Sequence, residues 1–314
     1  MNITNKNKDG LGKSPLARRV TAGVVRLMLV SPVLERIVLA LLRTLRARQP
    51  AKAIWWRLPA QFGERTLGTG AELRWVGVPG TNAQLLISVN SNFGSLYFER
   101  SSYEPATTDF IHNTLRPGNV FVDIGANIGY FTVLAASVVG HSGRVIAFEP
   151  NPGPRGMLQQ SVSKNRLGGH VRLFDCALAD AGSKDTKLYL SNDPWNSGIS
   201  SMVPWQGHLD SGNLSENNVI TVQTRTFDSI VEELCIDRVD MIKIDVEGAE
   251  LRVLKGMRRL LEGIRPANII CETAMGSEAD GYLRSLGYSG RSLELHNSNA
   301  AWGNILFTSQ ARNL

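Results

Sequence analysis

The residues best placed to do chemistry are carboxylates at the ends of short apolar runs. Asp123 ends one such run and opens Asp123-Ile-Gly125-Ala-Asn127-Ile-Gly129-Tyr130. Glu149 ends Ile146-Ala-Phe148-Glu149-Pro150, and Asp175 follows Leu173-Phe174. Met241-Ile-Lys243-Ile-Asp245-Val-Glu247-Gly248-Ala-Glu250 carries three acids close together. In an open α/β sheet a ligand sits at the carboxyl ends of the strands, so acids there are candidates for binding and proton transfer. Gly125 permits a tight turn and close backbone approach, Gly129 permits close helix packing, and the helix N-terminus beyond them favours an anionic group.

A dinucleotide would want Gly-x-Gly-x-x-Gly, but Asn127 occupies the middle position and its side chain obstructs a pyrophosphate. Asp123 would also repel phosphate. The same carboxylate suits a ligand carrying an ammonium and a sulfonium, with its single carboxylate at the helix end, which is the charge pattern of S-adenosylmethionine. The bland alternative is that Asp123 only caps the turn. Glu149, about 20 residues past the glycines at the next strand tip, is where a carboxylate grips a ribose diol. Asp175 could accept an adenine amino group, and Ala177 would leave room for the ring.

Methyl transfer to a hydroxyl needs in-line alignment and a base. Asp245 is the first choice to orient or deprotonate the hydroxyl. Glu247 serves either the acceptor or the following helix N-terminus, and Glu250 belongs to that helix's first turn. Lys243, in an otherwise apolar strand, either pairs with a carboxylate such as Asp245 or snorkels past the core. Asp245, Glu247 and Glu272 are oxygen ligands of a kind that suits a divalent cation, but no spacing demands one, and the expectation is no metal. Glu104, beside Tyr103, either closes over the cofactor or caps a helix with Pro105. His208 is a second candidate base. Trp195 and Trp205 either stack on a sugar or anchor their own loop.

The elements that must position these groups alternate. Strands are expected at Val120–Ile124, Arg144–Phe148, Val171–Asp175, Val239–Asp245 and Ala267–Glu272. Helices are expected at Pro105–Leu115, Ile128–Val138, Pro152–Arg166, Phe227–Glu233, Ala249–Leu261 and Glu278–Leu286, with two late strands near Ser292–His296 and Asn304–Thr308. Short apolar strands followed by amphipathic helices predict a doubly wound, mostly parallel α/β sheet. Further strands are expected at Lys187–Leu190 and Val219–Gln223, and a hairpin over 75–98 with Leu85–Val89 facing Leu96–Phe98 across Asn90–Gly94. Seventy positions separate Asp175 from Asp245, against ~30 for a plain unit, and the excess holds a Gly/Ser/Asn-rich insert (191–217) suited to a lid or acceptor loop.

Charge is unevenly spread along the 314 residues. The chain has a net charge of +6, yet residues 1–60 hold twelve basic side chains and two acidic ones, leaving the rest at −4. That balance argues against a nucleic-acid partner for the body of the protein. Residues 16–48 repeat apolar positions at helical spacing with interrupting charges, which fits a basic amphipathic helix on a membrane surface or helices packed on a protein. Cys176, Cys235 and Cys271 form no metal or disulfide pattern. With no secretory leader evident, a cytoplasmic location, peripheral to the inner membrane face, is expected.

Asp123–Tyr130, Phe148-Glu149-Pro150 and Met241–Glu250 together resemble the FkbM family of S-adenosylmethionine-dependent methyltransferases. The likeness runs over about residues 95–310 and includes Tyr103-Glu104-Pro105, Arg225-Thr-Phe-Asp228-Ser-Ile and Asn304-Ile-Leu-Phe. It implies a seven-stranded, Rossmann-like class I methyltransferase sheet, with Asp123, Gly125, Asn127 and Glu149 as cofactor contacts. It also implies O-methylation of sugars, glycolipids or polyketides. The expected organisation is therefore a basic helical extension (1–60) and a methyltransferase domain (61–314) with its cofactor-binding core at 105–310. The expected acceptor is a small molecule or glycan. The rival readings are a nicotinamide-dependent oxidoreductase and a non-catalytic membrane or partner adaptor. The oligomeric state is left open.

Overall fold

Strand β3 (Val120–Ile124) lies at the centre of the main sheet in the computed structural model, which describes residues 73–88, 91, 103–192, 197–203, 209, 213–295 and 302–309. On one side it pairs in parallel with β4 (Arg144–Phe148), and β4 pairs with β5 (Val171–Phe174). On the other it pairs with β9 (Met241–Ile244), which pairs with β10 (Asn268–Ala274). Then comes β12 (Trp302–Ser309), antiparallel to both β10 and β11 (Tyr288–Leu295). The seven strands thus run β11-β12-β10-β9-β3-β4-β5. The chain winds outward in both directions from β3, and the crevice this leaves lies at the carboxyl ends of β3 and β9.

The strand register gives the two faces of this sheet different characters. One face carries Val122, Ile124, Ile242, Ile244, Ile269, Cys271, Ile305 and Phe307, all in one apolar core closed by α4 (Phe227–Glu233) and α5 (Glu250–Lys255). On the other face Asp123 stands opposite Lys243, Lys243 opposite Ile270, and Glu272 opposite Asn304. Side chains alternate between faces along a strand, so four polar residues share this second face. They are all buried. Burial of polar groups is tolerated only where they find partners, so this seam is where the sheet departs from a plain hydrophobic design.

The helices begin as their caps dictate. Helix α1 (Pro105–Thr114) has Pro in its first turn, and α2 (Tyr130–Val139) follows the glycine-rich turn. Asn151 caps α3 (Pro152–Lys164), Thr226 caps α4 and Ser277 caps α7 (Glu278–Ser285), each by accepting a backbone N–H. The single helix expected over Ala249–Leu261 is two, α5 and α6 (Arg258–Glu262). The Gly256 carbonyl accepts the N–H of Asp228, and the Asp228 carboxylate accepts those of Arg259 and Leu260. One residue therefore ends the first helix and starts the second.

The long separation between Asp175 and Asp245 is filled by a separate sheet. Strands β6 (Ala177–Leu178), β7 (Ser183–Ser191) and β8 (Leu214–Arg225) pair in the order β6-β8-β7, so the two extra strands read from the sequence belong here. Gln84–Ser88 (β2) forms where a strand was expected and pairs with Leu73–Gly77 (β1). The connection turns at Val78, whose N–H donates to Ala83 O. Residues 96–98 lie outside the described residues, as do residues 1–60. The chain divides into two compact units, Met1–Leu73 with Ser88–Ser95, almost wholly outside the described residues, and Arg74–Ile87 with Leu96–Leu314. No helix among the described residues is long and apolar enough to cross a membrane.

Candidate active site

The turn between β3 and α2 is held by carboxylates. Asp123 accepts a hydrogen bond from the Thr132 hydroxyl at 2.5 Å. Burial pushes its carboxyl up to about 6, against the opposing pull of Thr132 and Lys243. Glu149 at the tip of β4 reaches across, Oε2 accepting the N–H of Asn127 at 2.8 Å and Oε1 that of Asn151 at 2.7 Å. Burial raises it to about 7 despite those two donors. Glu149 therefore fixes the turn as well as facing the crevice, a role that spacing alone does not reveal.

Two glycines make this turn possible. Gly125 has φ +83°, and a Cβ there would lie 1.8 Å from the backbone oxygen of Asp245. The close approach expected of Gly125 is thus made by the end of β9. Gly129 has φ +94°, and a Cβ would meet Leu158 of α3 at 2.2 Å, the close helix packing read from the sequence. Asn127, between them, also has a positive φ (51°), which Asn adopts more readily than most residues.

A second group forms where β9 and β10 end. Carboxylate oxygens of Asp245, Glu247 and Glu272 all lie within 4.8 Å of one another. Lys243, 1% exposed, donates to Asp245 Oδ2 at 2.8 Å and sits over the Phe131 ring, 4.9 Å from its centroid. The pairing reading of Lys243 is the one observed. Burial would strip its proton, but Asp245, Glu104 and Glu272 together hold the proton firmly in place. Glu247, in a left-handed conformation (φ 53°), is pushed up to about 9 by burial and by Asp245, Glu272 and Glu250. Glu250 stands in the first turn of α5, as expected, and accepts the N–H of Gly248. Glu272 accepts the indole N–H of Trp302 at 3.2 Å.

Glu104 stands beside this group. It occupies the N-cap of α1 ahead of Pro105, as the capping alternative has it, but its side chain makes no cap bond and instead accepts the amide of Asn304 at 2.7 Å. The Tyr103 ring packs edge-on against Tyr130 at 5.7 Å. Burial, then Glu104, Asp245, Glu272 and Glu247, push the Tyr103 hydroxyl well above its ordinary value. Asp175 lies exposed at the end of β5, and Ala177 is buried in the accessory sheet against Leu188 and Val222. The structure therefore gathers Asp123, Gly125, Asn127, Gly129 and Glu149 into one group. Glu104 joins Asp245, Glu247 and Glu272 in a second, and Asp175 and Ala177 stand toward the sheet edge.

The described part of the insert runs over the same end of the sheet. Asn151 donates to Ser200 Oγ, and the Ser201 hydroxyl donates to the backbone oxygen of Glu247 at 2.6 Å. His208, Trp195 and Trp205 lie outside the described residues. Thr132, Ser201, Trp302 and the Asn304 contact with Glu104 were not found by sequence reasoning, because each acts across elements distant in the chain.

A seven-stranded sheet of this order, with its one antiparallel strand next to the edge and an acid-bearing glycine-rich turn at its switch point, defines a class I methyltransferase. The methyltransferase FkbM domain matches residues 123–289, more than half of the chain, and the chain belongs to that family. It is similar to the AMB antimetabolite synthetase AmbE of Pseudomonas aeruginosa, 30% identical over 46% of this chain and 8% of that protein. It is similar to the 31-O-demethyl-FK506 methyltransferase FkbM of Streptomyces tacrolimicus, 28% identical over 46% of this chain and 61% of that one. The hexuronic acid methyltransferase AglP of Haloferax volcanii is 28% identical over 46% of this chain and 53% of that protein. The chain therefore spans less than two thirds of each of these three relatives.

Proposed function

We propose that this chain transfers a methyl group from S-adenosylmethionine to a hydroxyl of a carbohydrate, glycolipid or related secondary metabolite. The observation that carries this reading is a pair of buried carboxylates, Asp123 and Glu149, on either side of a glycine-rich turn. Burial of two acids is costly; Thr132, Asn127 and Asn151 supply donors to them, and a cationic ligand would offset the cost further. The fit extends to Asn127, whose buried Oδ1 has no hydrogen-bond partner among the described residues. An ammonium and a ribose diol offer donors to those acceptors. Nicotinamide dinucleotides would instead bring a pyrophosphate to an acidic turn.

Asp123, Asn127 and Glu149 would hold the cofactor, with Asp175 and Ala177 toward its adenine and Glu104 closing the far side. When bound, the cofactor supplies an electrophilic methyl group on a sulfonium. The chain's own task is to present a hydroxyl in line with it and to accept a proton. Asp245, steadied by Lys243, orients the hydroxyl. Glu247 takes its proton, because burial and three neighbouring acids give it the proton affinity of a base matched to mildly alkaline pH. Orientation of this kind contributes several kcal/mol, with ~7–11 as the limit for ideal alignment. Relatives named as methyltransferases of 31-O-demethyl-FK506 and of a hexuronic acid support an oxygen acceptor of this general class.

Calorimetric titration with S-adenosylmethionine tests the reading. Asp123→Ala and Glu149→Ala are each expected to weaken binding at least ~100-fold, about 2.7 kcal/mol. Wild-type affinity in both variants would remove the cofactor assignment.

A further inference from the structure

Trp302 opens β12 with 38% of its surface exposed, and Met275, exposed at 47%, follows directly after β10. Scattered exposed apolar residues need no explanation, but a large indole at the rim of a partly buried acidic group does. The ring is not free to turn away. Its N–H is tied to Glu272 Oε1. In the antiparallel register Trp302 lies opposite Ala274, two residues from Glu272, so indole and carboxylate share one face of the sheet. An indole anchored by its polar edge and with more than a third of its surface exposed can serve as a stacking platform.

A ligand touching both this platform and the three acids needs an apolar face bordered by hydroxyl donors. A pyranose has that form, with C–H groups on its face and hydroxyls around its rim. The charge narrows the choice further: Asp245, Glu247, Glu272 and Glu104 surround Lys243, so an anionic sugar is repelled. We infer that Trp302 and the Asp245–Glu247–Glu272 group form the acceptor subsite for a neutral pyranose. The ring face stacks on the indole and one hydroxyl is delivered to Asp245 and Glu247. The inference rests on the methyltransferase reading and names the acceptor of that same site.

Saturation-transfer NMR on the full chain, with adenosylhomocysteine present, tests it using methyl glycosides of glucose, galactose and mannose paired with methyl glucuronoside. Ring C–H signals are expected from at least one neutral glycoside and none from the glucuronoside. Trp302→Ala weakens binding about tenfold, and Trp302→Phe, which keeps a stacking face but loses the N–H, falls between. Unchanged sugar binding in Trp302→Ala, no signal from any neutral glycoside, or preference for the glucuronoside overturns the subsite. Calorimetry with adenosylhomocysteine separates the two levels. A wild-type chain that does not bind it overturns the methyltransferase reading, whereas normal binding beside failed sugar results overturns the subsite alone.

Discussion

The two carboxylate groups lie on the same sheet face, yet they are built on opposite terms. In the β3–α2 turn each acid is hydrogen-bonded within the protein: Thr132 donates to one oxygen of Asp123, and the N–H groups of Asn127 and Asn151 donate to the two oxygens of Glu149. At the ends of β9 and β10 three acids face one another, with the ammonium of Lys243 on Asp245 and the indole N–H of Trp302 on Glu272. The first arrangement fixes shape and leaves modestly raised pKa values. The second concentrates like charge, and Glu247 responds with a pKa near 9. A cradle for a cation and a proton-accepting acceptor site are what such a contrast provides.

Gly125 couples the two regions, and changing it has the largest expected effect. In Gly125→Ala the new Cβ would strike the Asp245 carbonyl at a backbone conformation alanine disfavours. A loss of about 4 kcal/mol in urea denaturation is expected, with both cofactor binding and turnover failing together. A variant of wild-type stability would mean that the turn and the end of β9 move independently.

Glu247→Gln should separate the regions. Cofactor affinity stays within about twofold, while turnover falls about 100-fold. The wild-type rate of kcat/KM should rise tenfold per pH unit below about 9, as the ionised fraction of Glu247 grows. The variant should lose that slope. A variant retaining the wild-type profile would assign the proton transfer elsewhere, with Asp245 the next group to test.

The smallest effect belongs to the turn. Asp123 and Glu149, raised to about 6 and about 7, keep protons in the folded chain that the unfolded chain loses near its ordinary carboxylate pKa. Stability of the ligand-free protein is therefore highest below that range and declines as pH climbs through 6 and 7. A cationic ligand favours the ionised forms, so binding near pH 6 should release about one proton. Calorimetry in buffers of different ionisation enthalpy reads this directly. Proton uptake instead would show that the ligand does not place positive charge at these acids.

The sequence made some of this legible and hid the rest for definite reasons. Strands β3 and β4 and helix α4 fell where apolar runs, Pro and Thr placed them. Helix α5 did not run on to Leu261, because Asp228, some thirty residues earlier, supplies the caps at the break. Leu85–Ser88 was legible as a strand, but its pairing with Leu73–Gly77 was not, because alternation shows that a strand exists and not which neighbours complete it.

What the residues alone determined is local chemistry: a turn of Asp123, Gly125, Asn127 and Gly129 can adopt few conformations, and an acid one strand later falls at a spacing set by one strand–helix unit. Only the tertiary structure decided that Lys243 would stand beside Asp123, that Glu104 would reach Asn304 two hundred positions away, and that Trp302 would be tied to Glu272. Those contacts depend on strand order and register. Both are set by the packing of the whole sheet, and a one-residue slip would send each of these side chains to the opposite face.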